Sequence, residues 1–73
     1  MTAQEAWPHI KKLVAEKFAE SSESKIGISH IKLEGLFGIT VDDIQDGVLR
    51  CLDADDDYSG QYYMGDLTVW KRL

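Results

Sequence analysis

The sequence predicts an α+β domain, residues 1–73, with three helices and a small antiparallel sheet in the order helix, strand, helix, helix, strand, strand. Three stretches carry that expectation. Residues 3–20 keep an apolar stripe at helical spacing. Residues 33–52 (LEGLFGITVDDIQDGVLRCL) read as a short helix, a turn at Gly38-Ile39-Thr40 and a capped helix. Residues 61–70 alternate about Gly65-Asp66, the pattern of a β-hairpin. At 73 residues and 44% hydrophobic, the chain has enough apolar side chain for one small core.

In the first helix Ile10, Leu13, Val14 and Phe18 form the stripe, with Lys11, Lys12, Glu16, Lys17 and Glu20 on the wet side. Thr2 with Glu5 is a capping box for a helix that starts at residue 3. Pro8 leaves two readings open: it kinks that long helix, or it sits near the first turn of a shorter one beginning around Trp7. The polar run Glu20 to Ser24 is a turn, and Lys25-Ile26-Gly27-Ile28 is a short strand.

Ser29 then caps a helix whose apolar set is Ile31, Leu33, Leu36 and Phe37, and Gly38 suits the left-handed position after its last turn. Thr40 is the next N-cap. Its hydroxyl can accept from the Asp43 N–H while Asp43 reaches back, a shortened capping box, and Ile39 and Ile44 occupy the staple positions. Asp42 and Asp43 favour the helix dipole. Val41, Ile44, Val48, Cys51 and Leu52 fall on one face. Gly47 costs this helix about 1 kcal/mol relative to Ala, which close approach to a neighbouring helix would explain.

The stretch Asp53 to Gly60 is an acidic loop. In the hairpin, Gln61 to Met64 and Leu67 to Trp70 flank a type II′ turn at Gly65-Asp66. That register pairs Met64 with Leu67 and Tyr62 with Val69, which turns all four to the core and Gln61, Tyr63, Thr68 and Trp70 away from it. The expected core is Ile10, Leu13, Val14, Phe18, Ile31, Leu36, Phe37, Ile44, Val48, Cys51, Leu52, Met64, Leu67 and Val69.

The run Leu33, Phe37, Gly38, Ile39, Ile44 and Val48 resembles the helix-turn-helix pattern. The element order resembles the winged-helix family over most of the chain. One departure is Glu34, where many members carry a small residue. The resemblance implies DNA binding, with the second motif helix in the major groove and the hairpin on backbone or minor groove. Carried over, the groove-facing positions are Asp42, Asp43, Gln45, Asp46, Leu49 and Arg50, three of them aspartates. Residues 1–32 carry a net +1, whereas residues 33–73 carry −6. DNA binding through that helix is therefore disfavoured, because phosphates must be neutralised first.

The expected function is a non-enzymatic protein-interaction module, an adaptor or inhibitor. Tyr63 and Trp70 on the outward hairpin face are its anchors. Asp42, Asp43, Asp46, Asp55, Asp56 and Asp57 would steer it toward a partner with a basic surface. The plain alternatives are that the acids only keep the chain soluble and that Trp70 folds over the sheet edge or onto Trp7. A DNA-binding regulator is the other reading, touching DNA through Gln45, Arg50, Lys71, Arg72 and the basic side of the first helix.

Asp55, Asp57, Ser59, Gly60 and Asp66 also fall at positions one, three, five, six and twelve of an EF-hand-like loop. The hairpin competes for the same residues and agrees better with period and turn chemistry, so no metal or other cofactor is expected. His9 and His30 belong to no catalytic motif. Cys51 reads as a buried small hydrophobe, and a single cysteine makes the cytoplasm the default compartment. No run is long and apolar enough to span a membrane. The length and the Met start suggest a whole small bacterial or phage protein, and the exposed hairpin edge leaves a homodimer open.

Overall fold

The computed structural model describes residues 1–72. Helix α1 spans Ala3–Glu20, strand β1 Lys25–Ser29 and helix α2 His30–Phe37. Helix α3 covers residues 41–54, π-helical over Asp43–Val48 and α-helical over Leu49–Ala54. Strands β2, Tyr58–Tyr63, and β3, Asp66–Lys71, complete an α+β domain in the expected order. The sheet is antiparallel with strand order β1-β3-β2, so the last strand lies at its centre.

Local capping chemistry sets the helix boundaries. Glu5 N–H donates to Thr2 Oγ1 at 3.1 Å and Thr2 N–H to the Glu5 carboxylate at 2.9 Å. That box fixes the long version of α1, with Pro8 inside it on an exposed side where water can serve the carbonyl the ring leaves free. Ser29 Oγ accepts from Ile31 N–H at 3.2 Å to open α2. Gly38, at φ 64°, closes it with its N–H on Glu34 O at 2.9 Å. The Thr40–Asp43 box opens α3, at 3.0 and 3.1 Å, over the buried staple pair Ile39 and Ile44.

The π-helical stretch has a packing reason. In an α-helix, residues four apart drift by about 40° per step. The wider π turn cancels most of that drift, and Ile44, Val48 and Leu52 all reach 0% exposure. Straightening that row moves Cys51, expected in the core, to a half-buried flank. Gly47 lies inside the stretch, and a Cβ there would overlap the Ala3 side chain. Close approach of α1 to α3 is what that glycine permits.

The core is Ile10, Val14 and Phe18 of α1, Leu33 of α2, Ile44, Val48 and Leu52 of α3, and Ile28, Leu67 and Val69 of the sheet, extended by Ala3, Ala6 and Ile39. Three residues expected there are exposed instead: Ile31 by 69%, Leu36 by 57% and Met64 by 82%. Helix α2 is only eight residues long and turns Leu33 and, one turn on, half-buried Phe37 inward. Ile31 and Leu36 then face out. Leu13 is half-buried at the margin of the core.

The hairpin differs from expectation by two residues. Tyr63 pairs with Asp66, Tyr62 with Leu67, Gln61 with Thr68, Gly60 with Val69 and Ser59 with Trp70. The turn is Met64-Gly65, with φ 49° and 86°. Two positive φ values make a type I′ turn, which fits the strand twist and accepts a non-glycine first residue. A two-residue slip leaves every side chain on its original face, since strands have period two. Tyr62, Leu67 and Val69 do face the core, and only Met64 is lost from it. Strand β2 also takes in Tyr58 to Gly60, expected as loop.

Candidate functional site

Two surfaces hold the residues singled out from sequence, and the sheet lies between them. The helices cover the inner face of the sheet. No described element covers its outer face: Trp70 stands on the central strand with Lys25 of β1 on one side and Ser59 of β2 on the other, and Thr68 stands between Gly27 and Gln61. Space around the missing Cβ of Gly27 is open. Trp70 is half-buried, and Tyr63 at the hairpin end is 66% exposed. Trp70 does not fold onto Trp7, which packs against the core from α1 on the opposite face. A shallow cleft of about 460 Å³ runs over this face between Lys25, Gln61, Tyr63, Met64, Thr68 and Trp70. Sequence reasoning found Tyr63 and Trp70 but missed Lys25, because nothing in the β1 residues specifies their register against β3.

The acidic surface is α3 and the loop that follows it. Asp42, Gln45, Asp46, Arg50 and Asp53 are exposed along the helix. Asp43 is engaged in the capping box. Arg50 Nε lies 3.0 Å from Asp46 Oδ1, one turn back, with both side chains largely in solvent. That pair removes the one cation of the helix face without adding much stability.

Asp55 is a structural residue. Its side chain is 8% exposed and lies 2.7 Å from Lys11 Nζ. Its second oxygen accepts from the N–H groups of Asp57 at 2.9 Å and Tyr58 at 3.1 Å. Burial pushes its carboxyl up, but the Lys11 ammonium and the two N–H donors outweigh burial and hold it below the ordinary value. Asp55 and Asp57, at 3.2 Å, in turn raise Lys11 above its ordinary value. Among these aspartates, Asp56 is the one left exposed beyond the helix without a charged partner among the described residues.

The cations assigned to the DNA alternative are also largely engaged. Arg72 Nε donates to Asp55 O at 2.7 Å and Tyr58 O at 2.9 Å, and Nη2 to Leu52 O and Asp53 O, both at 3.1 Å. One guanidinium thus gathers four carbonyls where α3 runs into β2, among them Asp53 O in the last turn of the helix. Lys71 Nζ lies 5.1 Å from the centre of the Phe18 ring, within cation–π range. Neither was found as a structural residue from sequence, because both contacts join segments far apart in the chain.

The residues of the calcium-loop pattern are separated by the hairpin. Ser59 and Gly60 are in β2 and Asp66 is the first residue of β3, while the carboxylate of Asp55 is turned to Lys11. His30 Nδ1 sits 3.1 Å from Glu34 Oε2, and its backbone N–H donates to Gly65 O at 2.9 Å, docking the hairpin tip on α2. His9 stacks near Phe37, ring centres 6.4 Å apart. No described helix is long and apolar enough to cross a membrane. No family model matches the chain, and neither does any curated protein or solved structure among those compared.

Proposed function

We propose that this chain is a non-enzymatic interaction module on a winged-helix scaffold, binding another protein rather than reading DNA. The scaffold reading is supported by the element order, the capped α2–turn–α3 pair and the β1-β3-β2 sheet with its terminal hairpin. The observation that carries the binding reading is the charge of α3. Its exposed face offers Asp42, Asp46 and Asp53, and its lone cation, Arg50, is held by Asp46. A groove-reading helix must first neutralise phosphates. This one would add charge of the same sign. The outer sheet face, with Trp70 and Tyr63 beside Lys25, has the aromatic anchors an interface uses, and the acidic helix would speed encounter with a basic partner.

Fluorescence anisotropy of a labelled duplex, titrated with the protein at low and near-physiological salt, tests this directly. The expected result is no binding at either salt. Binding that weakens steeply with salt would replace the proposal with a DNA-contacting module whose basic surface is Lys25, Lys71 and the lysines of α1. With a protein partner in hand, Tyr63→Ala combined with Trp70→Ala should keep the fold and weaken the complex, and equal affinity would remove that face from the interface.

A further inference from the structure

The free edge of β2 is closed at one rung and open at the next two. Arg72 N–H donates to Asp57 O at 3.0 Å. In an antiparallel pair, alternate residues bond to the neighbouring strand and the others point their N–H and C=O outward. Residues 57, 59, 61 and 63 therefore bond toward β3, and Tyr58, Gly60 and Tyr62 point to the free edge. At Tyr58 both groups are met by side chains: the N–H by Asp55 at 3.1 Å and the C=O by Arg72 at 2.9 Å. Among the described residues, nothing covers Gly60 and Tyr62 in this way. Tyr58 to Gly65 also contains no Asp, Glu, Lys, Arg or Pro, the residues that natural edge strands use against pairing.

We infer that this edge pairs with the same edge of a second copy of this chain, antiparallel about a two-fold axis at Gln61. The register follows from the open rungs. Gly60 of one copy meets Tyr62 of the other and Tyr62 meets Gly60, each exchanging two backbone hydrogen bonds, and the two Gln61 side chains face each other on the outer surface. A shift that brought Tyr58 into the ladder would meet the Asp55 and Arg72 plugs. The same register sets Tyr63 of one copy opposite Ser59 of the other, whose cross-strand neighbour is Trp70. Two Tyr63–Trp70 contacts then flank the axis on the outer face of a six-stranded sheet. The strand itself is uncharged, so in a chain of net charge −5 no like-charged side chains meet across the new ladder. This inference rests on backbone geometry and stands whether or not a basic partner exists.

Sedimentation equilibrium from about 1 μM to about 1 mM tests it, a range suited to a small interface. The wild-type chain should move from monomer to dimer across that range, with amide exchange at Gly60 and Tyr62 slowing as the dimer fills. Gln61→Lys, an exposed change that sets two ammonium groups face to face, should shift the dimer midpoint at least tenfold upward with an unchanged far-UV spectrum. Gln61→Cys in a Cys51→Ala background should form an intermolecular disulfide when two thiols are oxidised by diamide, since directly opposed non-hydrogen-bonded residues lie about 4.5 Å apart at Cα. A chain that stays monomeric to 1 mM with rapid exchange at both amides overturns the inference and leaves the edge to an extended segment of another protein. A dimer indifferent to Gln61→Lys overturns it as well, because the contact must then lie elsewhere.

Discussion

On the inner face of the sheet, Ile28, Leu67 and Val69 are at most 2% exposed beneath three helices. One residue along the same strands, Thr68 and Trp70 stand on a face that no other described element covers. The strands, the ladder and the twist are shared, so the difference comes from side-chain parity and from where the helices dock. Conformational specificity is concentrated on the inner side, and the capacity to meet another molecule on the outer one.

The sharpest way to break this comparison is at Leu67. Truncating it to Ala should cost about 2–5 kcal/mol of unfolding free energy in a denaturant melt, as for other fully buried leucines. Asp55→Ala, at the seam where α1, α3 and β2 meet, should cost about 1–2 kcal/mol, because it removes a charge-assisted partner from Lys11 and the acceptor of the part-buried Tyr58 N–H, while water can serve the exposed Asp57 N–H. Its pH dependence sharpens the point. The folded Asp55 carboxyl sits below its ordinary value, so its contribution is complete above the unfolded value of about 4 and is lost as pH falls through the folded one. An Asp55→Asn chain should therefore show a flatter acid limb in a pH series of melts. Tyr63→Ala, on the bare face, should change stability by no more than about 0.5 kcal/mol. A loss comparable to that of Leu67 would mean that the outer face is part of the fold after all.

Much of this was legible because it is local. The Thr2–Glu5 and Thr40–Asp43 boxes, the Gly38 cap and the inward parity of Tyr62, Leu67 and Val69 depend on residues within a few positions of each other. What failed was non-local or a near tie. Glycine occurs in both turn types, and only the observed pairing selects Met64-Gly65 over Gly65-Asp66. Ile31 and Leu36 look like core residues until the short α2 has to choose one inward face. The π-helical stretch has no simple sequence sign, although the four-residue spacing of Ile44, Val48 and Leu52 is consistent with it in retrospect. For the candidate surface, Trp70 and Tyr63 were visible as outward aromatics. The engagement of Arg50 and Asp43 was within reach of i,i+4 and capping rules. The roles of Asp55 and Arg72 depended on the tertiary fold.

Arg72 has a kinetic consequence. Its guanidinium joins Leu52, Asp53, Asp55 and Tyr58 across separations of 14 to 20 residues. A nucleus built from local helices and the hairpin can form without it, so the latch closes on the native side of the folding barrier. Arg72→Ala should accordingly speed unfolding and leave the refolding rate nearly unchanged, a low-φ site in a chevron plot. The side chain just beyond the last strand then lengthens the lifetime of the folded chain without easing the way to it.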